Sequence, residues 1–193
     1  MFFDSNALLH VFVGGTAFEL NRTESRFASS YLGGPPDLQE LTREDGGDTP
    51  LHHIATLSCD EFDCSYRGRL PLLHGMTYQG SLLEYEVAES GHVVRTTYLS
   101  PNESDPEWPY PGYPALLPYL QLEVWKKRIC TWEEFANEFI NAPNEPPADL
   151  TVMMPPPMHI GFSLWGRHGD TYPVQLCFGL NFTTMKVEVT SWC

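Results

Sequence analysis

The sequence predicts an α+β fold that is mainly antiparallel β-sheet and forms a single β-rich domain over residues 1–193. Seventeen prolines and fifteen glycines occur in clusters, a pattern typical of short strands joined by turns. Several segments alternate apolar and polar residues with the period of two that a half-buried strand requires. Hydrophobic residues make up 42% and charged residues 19% of the chain, so a packed core is expected rather than disorder.

The first half of the chain contains five apolar, β-prone segments that we interpret as strands. They are residues 7–13, Thr16–Leu20, Leu51–Ser58, Ser81–Val87 and His92–Leu99. Gly14-Gly15 separates the first two segments, and the turn Glu89-Ser90-Gly91 separates the last two, which predicts a hairpin at each place. Residues 33–50 are predicted to be a loop, because glycine and proline pairs open this stretch and Asp-Gly-Gly-Asp closes it.

One clear amphipathic helix is predicted at about residues 131–142. Thr131 is a favourable N-cap, Glu134 three residues later completes a capping box, and Pro143 ends the helix. The apolar face predicted to pack on the sheet consists of Trp132, Phe135, Ala136, Phe139 and Ile140. These residues have the i, i+3, i+4, i+7, i+8 spacing of a single helix face.

The segments that flank this helix are also predicted to be strands. Before it, Leu120, Leu122 and Val124 alternate with polar residues, as in a half-buried strand. After it, the proline-rich run Pro143–Pro157 is predicted to lead into a C-terminal three-strand meander. The strands predicted for the meander are His159–Trp165, Tyr172–Leu180 and Met185–Trp192.

The formal net charge of −14 limits the classes of partner. Such a field repels nucleic acid and anionic membranes and attracts basic proteins. No apolar run approaches the roughly 18 residues of a membrane helix, and the N-terminus lacks the basic and apolar regions of a secretory signal. Five cysteines without disulfide-framework spacing are read as free thiols. A cytoplasmic protein is therefore expected.

Residues 100–118 are the candidate partner-binding segment, because aromatic and acidic residues alternate with six prolines. The candidate binding residues are Trp108, Tyr110, Tyr113, Glu103, Asp105 and Glu107. Aromatic rings supply anchors at protein interfaces, and acids steer a basic partner toward them. The alternative, of equal weight, is a surface loop whose rings fold back on the body of the protein.

Two stretches of the chain resemble a known family. Residues 29–38 contain Gly33-Gly34-Pro35-Pro36, and residues 50–87 contain Pro50-Leu51 before an apolar strand, an acidic turn, then Leu70-Pro71 and a further apolar-aromatic strand. This pattern resembles the YwqG-like family of bacterial proteins of unknown function, over roughly residues 29–99. The resemblance implies a β-rich α+β fold, and it implies an immunity or accessory role near bacterial toxins, as is thought for some members.

The densest polar cluster is Cys59-Asp-Glu-Phe-Asp-Cys64 with His52 and His53 nearby. A zinc site would need both thiolates and both imidazoles, but adjacent residues of a strand face opposite ways. Two strand thiols that flank a solvated acidic turn are the favoured interpretation, and calcium is disfavoured because the EF-hand spacing is absent. We therefore assign no metal, cofactor or catalytic residue from the sequence.

These observations favour a non-enzymatic binding protein that takes a basic protein partner, as an immunity-type or accessory protein. Two alternatives stay open. One is a hydrolase that uses a Cys/His or metal site near Cys59 and His53. The other is an acidic mimic of nucleic acid, which rests on the net charge alone.

Overall fold

The computed structural model describes residues 7–34, 52–74, 83–98, 117–156 and 174–192. Within these ranges the chain forms one sheet of eleven strands, and every pairing is antiparallel. In chain order the strands are β1 (Leu9–Val13), β2 (Thr16–Arg22), β3 (Ser30–Leu32), β4 (His52–Ser58), β5 (Arg69–His74), β6 (Leu83–Val87), β7 (Val93–Tyr98), β8 (Leu120–Ile129), β9 (Leu150–Met154), β10 (Gln175–Asn181) and β11 (Lys186–Trp192). Across the sheet the order is β5-β4-β3-β8-β2-β1-β9-β10-β11-β6-β7.

Four hairpins join strands that are neighbours in sequence: β1–β2, β4–β5, β6–β7 and β10–β11. In the first, Gly14 and Gly15 have φ of +54° and +77°, values that glycine adopts without steric cost. The predicted hairpins at Gly14-Gly15 and at Glu89–Gly91 are therefore confirmed.

Two further pairings, β3–β4 and β9–β10, join consecutive strands through longer connections, and the other four join distant parts of the chain. Strand β8 lies between β3 and β2, β9 lies between β1 and β10, and β11 pairs with β6. Val13 is thus the partner of Leu150, and Glu19 is the partner of Lys126. Because these long-range pairs link the local hairpins, the strands form one continuous sheet.

The sheet rolls until its two ends meet. The Tyr85 hydroxyl on β6 donates to the carbonyl of Pro71 on β5 at 2.7 Å and accepts from the Leu73 amide at 3.3 Å. Strand β5 is at one end of the strand order and β6 is second from the other end. The rolled sheet encloses the main core, in which Phe18, Phe62 and Phe178 are almost fully buried.

A second apolar cluster lies on the outer face of the sheet. It consists of Phe12, Ala17, Cys130, Trp132, Phe135, Met153 and Cys177. The segment after β8 covers this face: the ring of Phe12 lies 5.3 Å from that of Trp132 and 5.2 Å from that of Phe135. Aromatic pairs at such distances stabilise by about 0.5–1.5 kcal/mol beyond the area they bury.

The predicted helix at about 131–142 is wrong in length, and with it the α+β class. The capping box of Thr131 and Glu134 forms, but the helix, α1, covers only Trp132–Ala136. After it, Glu138 and Phe139 bond to carbonyls three residues back, and Asn141 has a left-handed φ of +54°.

Tertiary hydrogen bonds end the helix α1 earlier than the sequence pattern predicts. The Trp132 Nε1–H donates to the Pro143 carbonyl at 2.9 Å, and the Gln175 Nε2–H donates to the Ile140 carbonyl at 3.1 Å. These bonds use carbonyls beyond α1 and draw the chain back onto the sheet. Trp132 and Phe135 are buried as predicted, whereas Ile140 is 60% exposed. The described part of the chain is therefore essentially all β.

The predicted C-terminal meander is also corrected. Strands β10 and β11 pair as expected, but the other neighbour of β10 is β9. Residues 150–154 lie inside the run that the prolines marked as a connection, and His159–Trp165 lies outside the described residues. Among the described strands, β10 therefore lies between β9 and β11.

Candidate functional site

The acidic turn, residues 59–64, follows β4 and closes one end of the rolled sheet. Cys59–Glu61 form a single 3₁₀ turn, and the Phe62 and Cys64 amides bond back to the carbonyls of Cys59 and Phe62. Phe62 is 1% exposed and packs edge-to-face on Phe18 at 5.2 Å. Burial of this ring anchors the turn and leaves Asp60 and Asp63 exposed to solvent.

The turn brings its two cysteines together. The Cys64 Sγ lies 3.7 Å from the Cys59 carbonyl oxygen and 3.2 Å from that of Tyr66, and the two thiols hydrogen-bond each other. The bond from Cys59 lowers the pKa of Cys64 to about 7, with help from the Tyr66 backbone and the Arg67 charge and against burial. The same bond, together with burial, raises the pKa of Cys59. Cys64, whose Sγ donates to the carbonyl oxygens of Cys59 and Tyr66, is thus the more acidic thiol of the pair.

Glu61 of the acidic turn is an incompletely satisfied carboxylate. Its Oε1 accepts from the Ser29 hydroxyl at 3.0 Å, whereas Oε2 is buried and has no hydrogen-bond partner among the described residues. Burial raises the pKa of Glu61, the Ser29 and Ser30 hydroxyls oppose that rise, and the charge of Glu123 on β8 adds to it. A cation placed beside the turn would relieve the repulsion between the two carboxylates.

The neighbouring strand β8 presents large apolar side chains to solvent. Trp125 is 64% exposed and Ile129 is 90% exposed, and Lys127 lies between them. Strand β3 pairs with β8 only as far as Leu122, and no described strand pairs with that side of residues 123–127. We call the acidic turn together with Glu123, Trp125, Lys127 and Ile129 the β8 rim.

The basic cluster of β8 is neutralised within the protein. Lys126 bonds Glu19 at 2.9 Å, Lys127 bonds Asp63, and Arg128 bonds Glu138 at 2.7 Å. Lys127 also lies 5.4 Å from the centroid of the Phe18 ring, which fixes it over the end of the core. The β8 rim therefore carries an excess of acid despite its run of three cations.

The histidines of β4 have separate surroundings. His52 is opposite His74 across the β4–β5 ladder, and burial lowers the pKa of His52 to about 4 and that of His74 to about 3. His53 instead contacts the Thr56 hydroxyl at 2.8 Å through Nε2 and packs against the ring of Tyr31. The adjacent histidines thus have different partners, as expected for neighbouring residues of a strand.

The structure does not assemble the Cys/His or zinc site considered from the sequence. Six positions of β4 separate His53 from Cys59, which corresponds to roughly 20 Å of extended chain. A general base must lie within about 3 Å of the group it deprotonates. Within the described ranges, no three His, Cys, Asp or Glu side chains converge as metal ligands.

The structure does not test the predicted partner-binding residues. Trp108, Tyr110, Tyr113, Glu103, Asp105 and Glu107 lie outside the described residues. Glu123, Trp125 and Ile129 were missed, because their position at the rim depends on the distant pairing of β8 with β2 and β3. The one local signal for them was the alternation of Leu120, Leu122 and Val124, which marked the strand but not its exposed end.

A small cleft on another part of the sheet does not suit a substrate. It is lined by Glu84, Tyr85, Glu86, Arg95, Thr97 and Lys186, with a volume of about 20 Å³. That volume holds roughly one water molecule. Lys186 and Glu84 form an ion pair of 2.7 Å in this cleft.

Over the described residues, fold and site define a β protein with a rolled antiparallel sheet and an acidic, thiol-containing turn at one end. Searches against protein families, curated proteins and solved structures found no match to this chain. Among the described residues, no helix has the length and apolar character needed to cross a membrane.

Proposed function

We propose that this chain is a non-enzymatic binding protein that takes a basic protein partner at the β8 rim. The observation that carries the proposal is Glu61: its buried Oε2 has no described hydrogen-bond partner, and Glu123 stands close enough to disfavour its charge. A lysine or arginine that a partner places against the rim would supply the missing positive charge beside Glu61 and Glu123.

The distribution of charge supports a basic rather than an acidic partner. Internal ion pairs engage five cations of the described chain: Arg22, Lys126, Lys127, Arg128 and Lys186. Together with the net charge of −14, these pairs favour a cationic over an anionic ligand. Acidic surplus of this kind raises association rates with basic proteins and repels nucleic acid.

The apolar part of the β8 rim provides contact area for such a partner. Trp125 and Ile129 lie four residues apart on β8, a separation of roughly 13 Å along an extended strand. Tryptophan is the residue type most enriched among interface positions that dominate binding energy. Beside Glu123, the side of β8 with which no described strand pairs also allows main-chain pairing with an extended segment of the partner.

The wider biological role rests on the resemblance of residues 29–99 to the YwqG-like family. An immunity-type or accessory protein needs a surface that captures a basic partner, and the β8 rim has the required charge and exposed aromatic residue. The acidic segment that contains Trp108, Tyr110 and Tyr113 is proposed as a second contact for the same partner.

The proposal is tested by capture of partners from a lysate of the native host. We expect a basic protein that is retained at about 50 mM salt and weakened at about 200 mM salt, where the Debye length is shorter. The double variant Glu61→Gln/Glu123→Gln removes two rim charges, and we expect the purified partner to bind it at least roughly tenfold more weakly. The control Glu145→Gln removes one charge from an exposed position outside the rim and should change affinity little.

Two results would contradict this assignment. Equal loss of affinity in Glu145→Gln would show that net charge, rather than the rim, drives binding. Unchanged affinity in the double variant, with the partner still bound, would place the interface elsewhere. In that case Trp108→Ala is the variant to measure next, because it tests the second proposed contact.

A further inference from the structure

The thiols of Cys59 and Cys64 are held as a pair by the backbone of the acidic turn. Two bonds reverse the chain, from the Phe62 amide to the Cys59 carbonyl at 3.1 Å and from the Cys64 amide to the Phe62 carbonyl at 2.8 Å. A third, from the Cys59 amide to the Gly68 carbonyl at 2.8 Å, ties the turn to the start of β5. The buried ring of Phe62 fixes the turn from below. The turn therefore holds the two cysteines side by side, with the Cys64 Sγ 3.7 Å from the carbonyl oxygen of Cys59.

The two cysteines have different roles. The sulfur of Cys64 is disposed to act as the nucleophile, and that of Cys59 to attack the oxidised Cys64. Cys64 is the member whose pKa is lowered, through its hydrogen bond with Cys59 and the nearby charge of Arg67, and its sulfur lies beside the carbonyl oxygens of Cys59 and Tyr66. Thiolates, and not thiols, attack electrophiles. Redox-reactive cysteines in proteins combine a depressed pKa, some exposure and a nearby second cysteine.

Solvent exposure decides which of the two cysteines an oxidant reaches first. Cys64 is 9% exposed, whereas Cys59 is 0% exposed. A small oxidant from solvent thus meets Cys64 first. The other described cysteines, Cys130 and Cys177, are also buried, and burial raises the pKa of both, that of Cys177 to about 12. They serve as internal references of low reactivity.

We propose that Cys59 and Cys64 form a hydroperoxide-reactive site that closes reversibly to an intramolecular disulfide. In the first step the Cys64 thiolate attacks one peroxide oxygen: an S–O bond forms, the O–O bond breaks, and the leaving hydroxide or alkoxide takes a proton. Cys64 is then a sulfenic acid, and the peroxide has been reduced by two electrons.

In the second step the Cys59 sulfur attacks the sulfur of Cys64. The S–S bond forms, the S–O bond breaks, and the departing hydroxide takes the Cys59 proton and leaves as water. Overall, two thiols and one hydroperoxide give one disulfide, one water and one water or alcohol. A disulfide requires sulfurs about 2.05 Å apart, and the Cys64 sulfur already lies 3.7 Å from the carbonyl oxygen of Cys59.

The test uses the intact chain and hydrogen peroxide as the probe. One equivalent of peroxide is added, remaining thiols are blocked with N-ethylmaleimide, and peptides are mapped by mass spectrometry. We expect a Cys59–Cys64 cross-link that dithiothreitol reverses, while Cys130 and Cys177 remain alkylated. Because the thiolate fraction decides the rate, Cys64 should react more than roughly a hundredfold faster than Cys177 near neutral pH.

Variants then separate the two roles. Cys59→Ser should leave the sulfenic acid on Cys64, trapped by dimedone, with no cross-link. In Cys64→Ser, Cys59 should resist peroxide as Cys177 does. The wild-type map decides the proposal even if a variant folds poorly. A disulfide that pairs Cys64 with Cys193, sulfinic acid on Cys64 without a cross-link, or equal reactivity of Cys64 and Cys177 would each overturn it.

Discussion

The two ends of the β4–β5 ladder each carry a pair of buried titratable side chains, in opposite surroundings. At one end, His52 faces His74, and burial lowers the pKa of both rings and holds them neutral. At the other end, Cys59 and Cys64 hydrogen-bond each other, and this bond lowers the pKa of Cys64 while it raises that of Cys59. Burial alone suppresses charge, whereas a hydrogen bond within a buried pair places charge on one member. We therefore assign the proposed thiol oxidation to the cysteine end, and a contribution to folding stability to the histidine end.

The two ends are expected to differ most in how low pH affects folding stability. Both histidines have folded-state pKa values, about 4 and about 3, below the ordinary 6.5, so the unfolded chain takes up protons first as pH falls. Stability is unaffected above about pH 6.5 and is lost as pH falls below that value, at about 1.4 kcal/mol per unit for each ring. By pH 4.5 we expect a loss of several kcal/mol, measured by urea unfolding across this range.

The control for the acid prediction is His74→Gln, which removes one titrating ring and keeps a polar side chain of similar size. We expect roughly half of the pH dependence to disappear, since the two rings contribute comparably over this range. A variant with the same steep dependence as the wild type would show that carboxylates, and not the histidine end, govern acid unfolding.

The next largest effect concerns the bond that joins the sheet ends near His74. Tyr85→Phe removes the hydroxyl that bonds the Pro71 carbonyl and the Leu73 amide, and leaves both backbone groups buried without that partner. We expect a loss of about 1–3 kcal/mol in the free energy of unfolding. Urea denaturation at pH 7 measures it, with the exposed Tyr119→Phe as a matched control. An equal change in both variants would contradict a closing role for Tyr85.

The smallest effect is expected at the cysteine end. Lys127→Met removes the ion pair with Asp63, whose members are 50% and 76% exposed. Exposed ion pairs are weak and are screened by salt, so the unfolding midpoint should move less than in Tyr85→Phe. That small shift should vanish at high salt. A loss that matched Tyr85→Phe would show that the cysteine end is as firmly held as the histidine end.

The sequence predicted local features of the fold well and distant ones poorly. The strands on both sides of Gly14-Gly15, the β6–β7 hairpin and the third strand at 186–192 carry their signal in alternation and turn residues. Strand β5 was missed because Pro71 argues against a strand, yet proline is tolerated at the edge position that β5 occupies. Strand β9 was missed because prolines flank its five residues. The length of α1 depended on bonds to Pro143 and Gln175, which no helical pattern encodes.

The candidate site was likewise predicted only in part. Composition identified Cys59, Cys64 and the acids between them as a dense polar cluster, but it grouped them with His52 and His53. The geometry of β4 separates these groups by the length of the strand, and His74 joins His52 through a register that sequence does not show. Glu123 reaches Glu61 only because β8 inserts between β2 and β3.

Strands β8 and β9 are synthesised late but insert beside β2 and β1, and this order affects folding during translation. Strands β1 and β2 leave the exit tunnel long before β8 and β9, which supply the other neighbours of β2 and β1. Both edges of the β1–β2 hairpin therefore stay unpaired with β8 and β9 until more than a hundred further residues have been synthesised. Sheets dominated by such distant contacts fold in milliseconds to seconds, and their waiting edges attract chaperones and other nascent chains.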